Sequence, residues 1–147
     1  MNTDNLFFNS KSKEGRELSN FYIVTFPVVL KTGTFLFSSA ESAYQCLKQQ
    51  RLTKSKIATF QIAEPAAARE YGKTVPLRKD WEDIKVDAMR HVLEAKFSVP
   101  EMRDYLLSTG DKQLVHFSPW DTFWGVGKDG GSNVLGTLLM EIRRNQS

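Results

Sequence analysis

One cysteine, Cys46, stands in a chain of 147 residues. That scarcity excludes an internal disulfide and leaves no thiolate pair for a structural zinc site, so the chain reads as intracellular, in a reducing cytoplasm. Histidine is nearly as rare. His91 and His116 lie far apart and far from Cys46, no metal-ligand spacing arises, and neither a metal nor another cofactor is expected. No apolar run approaches the roughly 20 residues that cross a bilayer. Met1-Asn2-Thr3-Asp4-Asn5 lacks the basic start and apolar core of a signal peptide, so a soluble protein with no membrane partner is expected. Excess charge is missing too: 20 basic residues against 17 acidic leave a net +3, too mild to announce duplex binding and compatible with an anionic ligand. The glycines fit neither the Gly-x-x-x-x-Gly-Lys-Ser/Thr phosphate loop nor a strand-linked Gly-x-Gly-x-x-Gly, and Gly125-Val126-Gly127 alone carries little. Internal repeats and low-complexity tracts are likewise absent.

A hydrophobic content of 41%, with 12% aromatic residues, is ample for one packed core, and residues 1–147 read as a single domain. Between Leu18 and Phe37 the runs Phe21 to Phe26, Val28 to Leu30 and Phe35 to Phe37 are broken by Pro27 and by a Lys31-Thr32-Gly33-Thr34 turn signal, predicting two or three short strands. Ser38-Ser39-Ala40-Glu41 has the form of a capping box, and a helix is predicted from there to about Leu52. Shorter helices are predicted over Ser55 to Gln61 and from Pro65 to Gly72. The longest runs from an Asp80 cap through Trp81, Ile84, Ala88, Val92 and Ala95 to Phe97. Another follows a second capping box, Ser98 with Glu101, and closes at Gly110. Leu114 to Phe117 reads as a strand, and Ser132 or Asn133 caps a final helix carrying Leu135, Leu138, Leu139 and Ile142 inward. The sum is α+β: a predominantly helical domain with a few short strands in its N-terminal third.

Three places carry chemistry. His116 to Asn133 packs Trp120, Trp124, Phe117, Phe123, Asp121 and Asp129 among glycines: either a ligand-lined loop, where rings stack and an aspartate accepts a proton, or a surface loop with aromatics tucked into the core. On the helix opening at Ser38, Glu41, Tyr44, Gln45 and Lys48 fall at i, i+3, i+4 and i+7 and share one face. That face positions a polar ligand, or else Glu41 merely completes the capping box with Lys48 as its solvated partner. Trp81 with Lys85 and Met89 makes a second line, either core or a stacking platform with a cation near a phosphate. His91 reads as a boundary residue and Cys46 as a small core residue. The start of the Ser132 helix offers amides to an anion.

Leu18-Ser19-Asn20-Phe21, Ser39-Ala40-Glu41 with Tyr44-Gln45 and Lys48, Asp80-Trp81-Glu82 with Lys85 and Met89, Lys96-Phe97, Asp121 with Trp124-Gly125-x-Gly127, and Gly131-x-Asn133-x-Leu135-Gly136-x-x-Leu139-Met140 with Arg143 follow one another in order. Together they resemble the NADAR family, also called YbiA-like, from Leu18 to Arg143. The resemblance implies a compact, mostly helical YbiA-like fold and hydrolysis of N-glycosidic bonds to a phosphorylated ribose. Activities in the family include removing ADP-ribose from guanine in nucleic acid and cleaving early riboflavin-pathway intermediates; the first is the expectation for this chain, the second its alternative. By the same resemblance Glu41 and Asp121 are the catalytic candidates, with Lys48 beside Glu41. The substrate-binding candidates are Asn20, Phe21, Tyr44, Trp81, Lys85, Trp124, Gly125, Gly131 and Asn133. This chain departs from the family at Leu114-Val115-His116, where members often carry Leu-Val-Glu.

Breaking a C1′–N bond develops positive charge on the ribose and negative charge on the departing base, so a carboxylate near the sugar and a proton source near the base both help. Glu41 and Asp121 share those tasks on this reading, and attack by Lys48 on an opened ribose is the minority route. Two other classes stay open. One is a non-catalytic reader of ADP-ribose or a nucleotide. The other is a single-stranded nucleic-acid binder stacking on Trp81, Trp120 and Trp124.

Overall fold

A computed structural model of the chain describes residues 4–147, so the reading of Met1 to Thr3 lies outside the described residues. The elements in order are β1 (Asn5–Phe8), a 3-10 turn (Arg16–Leu18), β2 (Phe26–Leu30), β3 (Gly33–Phe37), α1 (Ala40–Leu47), α2 (Lys54–Gln61), α3 (Pro65–Gly72), α4 (Trp81–Lys96), α5 (Pro100–Ser108), β4 (Gln113–His116) and α6 (Val134–Gln146). The α+β, helix-dominated class holds. No described helix is long and apolar enough to cross a membrane. The described residues form two compact units: a central one, Ile23–Lys96, and a terminal one, residues 4–22 with Phe97–Ser147.

In the central unit β2 and β3 form an antiparallel hairpin, Phe26 opposite Phe37 and Val28 opposite Phe35, joined by Lys31 and Thr32. Phe26 and Val28 are buried while Pro27 and Val29 face outward, the alternation of a half-buried strand. Phe21 to Thr25 does not extend it into a third strand. Helix α1 is the centre of this unit: α2, α3, α4 and β3 all pack on it, and all of its residues are buried. Its cap is Ser39 rather than Ser38, with the Ser39 hydroxyl accepting the Ser42 amide at 3.1 Å. It also stops at Leu47, short of the predicted Leu52. The reason is tertiary: Arg78 donates its amide to the Lys48 carbonyl at 2.9 Å and Gln50 its amide to the Pro76 carbonyl at 2.9 Å, so the incoming 76–78 segment takes the backbone groups a longer helix would use.

Thr53 caps α2 through the Lys56 amide, and the buried Ile57 and Phe60 anchor it, each contributing about 1.5–3 kcal/mol of apolar burial. Pro65 opens α3 at its first turn, where its missing N–H costs nothing. Asp80 precedes α4 and accepts the Asp83 and Ile84 amides on its carbonyl, while its carboxylate goes to Arg78 Nε at 2.6 Å. Helix α4 packs on β2, and His91 Nε2 meets the Val29 carbonyl at 2.7 Å.

In the terminal unit β1 pairs with β4 in parallel, from Asn5 opposite Gln113 to Phe8 opposite His116. Helix α5 begins after Val99, not Ser98. Pro100 occupies the first turn, and the residue before a proline must stay extended, which puts the boundary at Val99. Gly110 follows α5 with φ 64°, the left-handed turn expected of a helix stop. Helix α6 lies against α5 and β4, with Leu135, Leu138, Leu139 and Ile142 buried as predicted.

Arg143 stands at the buried end of α6, donating Nη1 to the Thr109 hydroxyl at 2.8 Å and Nη2 to the Lys112 carbonyl at 2.8 Å. It ties α6 to the α5–β4 connection. Burial lowers its proton affinity, with the Asp111 charge opposing and Arg144 adding to that effect. Charge-assisted bonds of this kind carry about 1.5–3 kcal/mol each when a buried acceptor would otherwise be stranded. Arg143→Met is therefore expected to lower the unfolding free energy by about 2 kcal/mol, read as a shift in the urea midpoint at unchanged slope; an unchanged midpoint shows that the tie carries no stability.

Candidate active site

Glu41, Tyr44, Gln45 and Lys48 leave α1 on one face, as the spacing requires. The displaced cap decides what Glu41 is for. Because Ser39 caps through Ser42, the Glu41 carboxylate is released from the helix end and turns along the face, where Oε2 accepts Gln45 Nε2 at 2.8 Å and Arg69 Nε at 3.5 Å. Glu41 is 5% exposed. A carboxylate this deeply withdrawn from water demands donors, and α1 and α3 each supply one. Its Oε1 accepts no hydrogen bond among the described residues, so one oxygen is held and one is presented.

Lys48 is not a solvated partner to Glu41. Its ammonium donates to Gln45 Oε1 at 3.1 Å. Burial holds the Lys48 amine below the ordinary lysine range, the Glu41 charge pulls it back up, and Lys73 at the end of α3 pushes it down again. An amine so placed has a larger neutral fraction than a surface lysine, which suits either proton transfer or addition to a carbonyl.

Tyr44 and Trp81 pack their rings 5.2 Å apart at 53°, and both are buried. Trp81 therefore forms the wall beneath the α1 face rather than an open stacking platform. Lys85 pairs with Glu82 at 2.8 Å one turn along α4, and Met89 is buried behind it. Cys46 faces the core as expected; burial pushes its thiol up to about 12, against a smaller opposing bond from Gln49, which removes it as a nucleophile.

The other candidates lie in the terminal unit. Asp121 Oδ1 accepts the amides of Phe123 at 3.1 Å and Trp124 at 2.9 Å, so the aspartate organises the loop around itself, and its Oδ2 accepts no bond among the described residues. Trp124 stands edge-on to Phe123, centroids 4.9 Å apart. Gly125 and Gly131 are small because the loop folds onto itself. A Cβ on Gly125 would meet His116 Cδ2 at 2.7 Å, and one on Gly131 would meet Val126 Cα at 2.8 Å and the Thr122 carbonyl at 3.0 Å. Asn133, in the left-handed region at φ 50°, uses both ends of its amide on β4, accepting from the His116 amide and donating to the Leu114 carbonyl, each at 2.9 Å. Asn20 and Phe21 follow the 3-10 turn half-buried, the Phe21 amide donating to the Ser19 hydroxyl. Phe8 packs against the His116 ring, centroids 5.4 Å apart. Pro119, Thr122, Lys128, Gly131 and Ser132 border an open recess of about 470 Å³.

One expectation fails here. The amides of Ser132, Asn133, Val134 and Leu135 do not await an anion; they donate to the carbonyls of Thr122, Gly125, Phe123 and Trp124. The loop preceding α6 has folded back as the cap, so a phosphate must be met by side chains. Two residues of the central unit were not among the predicted site residues. Arg69 reaches Glu41 across 28 positions with no local signal, and Gly72, read only as a helix stop, packs directly on Gln45.

A family model described as the NADAR domain matches residues 6–146. N-glycosidase YbiA of Escherichia coli is 43% identical over 86 residues, covering 56% of this chain and 54% of that protein. The chloroplastic riboflavin biosynthesis protein PYRR of Arabidopsis thaliana is 37% identical over 123 residues, covering 82% of this chain and 20% of that one. A riboflavin biosynthesis protein of Vibrio vulnificus is 35% identical over 144 residues, 94% of this chain and 37% of that one. The chain thus spans between a fifth and about half the length of the curated relatives it matches. Among solved structures, the NMR structure of E. coli YbiA aligns with a TM-score of 0.80 and 33% identity, covering 99% of this chain and 86% of that one.

The charge balance on Lys48 yields a prediction that needs no substrate. Glu41→Gln removes the negative charge that supports the ammonium, so the Lys48 titration followed by NMR of its side chain is expected to move to lower pH. No movement, or movement to higher pH, shows that the two groups are not coupled.

Proposed function

The chain belongs to the NADAR family, and from that premise we propose that it hydrolyses the N-glycosidic bond between a phosphorylated ribose and a base. The observation that carries the reading is Glu41: a buried carboxylate released from capping, gripped on one oxygen by Gln45 and Arg69 and presenting the other, on the same face as an amine that burial has made less basic. Residues 1–147 act as one NADAR domain, soluble and cytoplasmic, on a small-molecule ribose-phosphate or an ADP-ribosylated nucleic acid, without a metal or cofactor.

Chemically, departure of the base leaves a cationic sugar. A fixed anion such as Glu41 stabilises that charge or deprotonates the attacking water, and a proton must reach the base nitrogen as the bond breaks. Asp121 carries the complementary proton step in this reading. Lys48 either holds a substrate phosphate by its charge or, as the neutral amine, adds to C1′ of an opened ribose; the base then leaves with a proton, and water hydrolyses the resulting imine to free the sugar and the lysine. Lysine and arginine side chains hold the phosphates, since the amides entering α6 are already bonded.

ADP-ribosyl-guanine is the proposed substrate. Early riboflavin-pathway intermediates form a second reading, favoured by the names of the Arabidopsis and Vibrio relatives. Both present a ribose, a phosphate and a leaving heterocycle. Release of free base from ADP-ribosylated guanine in an oligonucleotide, ADP-ribosylated nucleotide and an N-ribosyl 5′-phosphate intermediate is expected from wild type, fastest from the first. Glu41→Gln and Asp121→Asn are each expected to lose about 10²-fold or more in kcat. Tight binding of all three without release of base makes the chain a reader instead, and preference for the third compound establishes the riboflavin reading.

A further inference from the structure

We propose that Gln45 is the positioning residue of this site, its buried side-chain amide tying the Glu41 carboxylate to the Lys48 ammonium, and that position 72 is glycine because any side chain there would displace that amide. Gln45 is 6% exposed, and both ends of its amide are committed: Nε2 donates to Glu41 Oε2 at 2.8 Å and Oε1 accepts from Lys48 Nζ at 3.1 Å. The partners fix its orientation, since a flipped amide would aim an oxygen at a carboxylate and an N–H at an ammonium. A neutral bridge does what a charged one cannot. It couples an anion and a cation two helical turns apart without adding charge to either.

Gly72 completes the arrangement from α3. A Cβ there would fall far inside the contact radius of Gln45 Oε1, 2.8 Å from its Cδ and 3.3 Å from its own Cβ. The atom struck is the end of a flexible side chain, so Gly72→Ala moves the amide rather than unfolding the helix, and the residue next to the C-cap tolerates alanine well. Arg69, one turn earlier on α3, then remains the other donor to Glu41 Oε2 among the described residues. Of the elements packed on α1, α3 contributes Lys73 to the charge felt by Lys48 and α1 itself contributes Glu41; α2, α4 and β3 add no charged group to that balance among the described residues.

This inference rests on the N-glycosidase reading for its catalytic consequence but not for its geometry, and the test separates them. Gly72→Ala, Gln45→Leu, Gln45→Glu and the Gly72→Ala/Gln45→Leu double variant are compared with wild type in kcat and KM for base release, and in the NMR titration of Lys48. Gly72→Ala and Gln45→Leu are expected to lower kcat about tenfold or more with KM within about threefold. The double variant is expected to lose no more than Gln45→Leu alone, because Gly72 acts only through that amide. Gln45→Glu places a carboxylate against Lys48 and is expected to move its titration, and the corresponding limb of the rate profile, to higher pH. If Gly72→Ala and Gln45→Leu keep kcat within about twofold and leave the Lys48 midpoint where it was, Gln45 is a packing residue and the proposal is wrong. If wild type releases no base at all, the N-glycosidase reading fails, and the Lys48 titration alone decides: a shifted midpoint upholds the role of Gln45, an unshifted one overturns it.

Discussion

A carboxylate buried inside a helical core is the constraint from which the rest of the central unit follows. Helix α1 has no solvent face, so Glu41, Gln45 and Lys48 must be satisfied by one another and by whatever packs against them. Arg69 on α3 provides the countercharge, Gly72 provides the space, and Trp81 with Tyr44 seals the side that faces α4. Replacing such a polar seam with leucines would make a simpler core, because a buried charge network is a poor source of stability. A chain that keeps one is organised around what those groups do.

The terminal unit solves a different problem. Its aromatic and glycine-rich loop carries too many backbone polar groups to lie over a core without partners. It closes on itself instead: Asp121 gathers the amides of Phe123 and Trp124, and the carbonyls of residues 122–125 take the four amides that open α6. Asn133 then fastens the start of α6 to β4. The glycines serve contact between backbone and backbone, which is why Gly125 and Gly131 tolerate no side chain. The result is a closely hydrogen-bonded loop that carries an aspartate and two tryptophans.

Much of this was legible in the sequence where the determinants are local. Proline at a first turn, glycine after a helix and the apolar stripe of α6 each mark their element in the residues themselves. Long-range determinants were not. Strand β1 pairs with a segment more than 100 positions away, so its four residues carry no readable signal of their own. The early end of α1 is imposed by residues 76–78, and the start of α5 was misread because Pro100 outranks a serine-glutamate pattern. The face of Glu41, Tyr44, Gln45 and Lys48 was readable from helical spacing, whereas its partners Arg69 and Gly72 lie on another helix. The order of small motifs from Leu18 to Arg143 made the NADAR family recognisable, and the matched family model, over residues 6–146, contains that stretch.

Glu41 can be asked most directly whether it is retained for chemistry or for the fold. Glu41→Gln keeps the shape and an oxygen to accept from Gln45, and Arg69, whose side chain is 54% exposed, returns to water when its partner goes. If the carboxylate is there to act on a substrate, urea denaturation will find the variant within about 1 kcal/mol of wild type or more stable, as expected when a functional charge is removed from a core. A loss of about 3–5 kcal/mol, the cost of breaking a structural buried pair, would show that Glu41 holds the helices together and would contradict its place at the centre of the site.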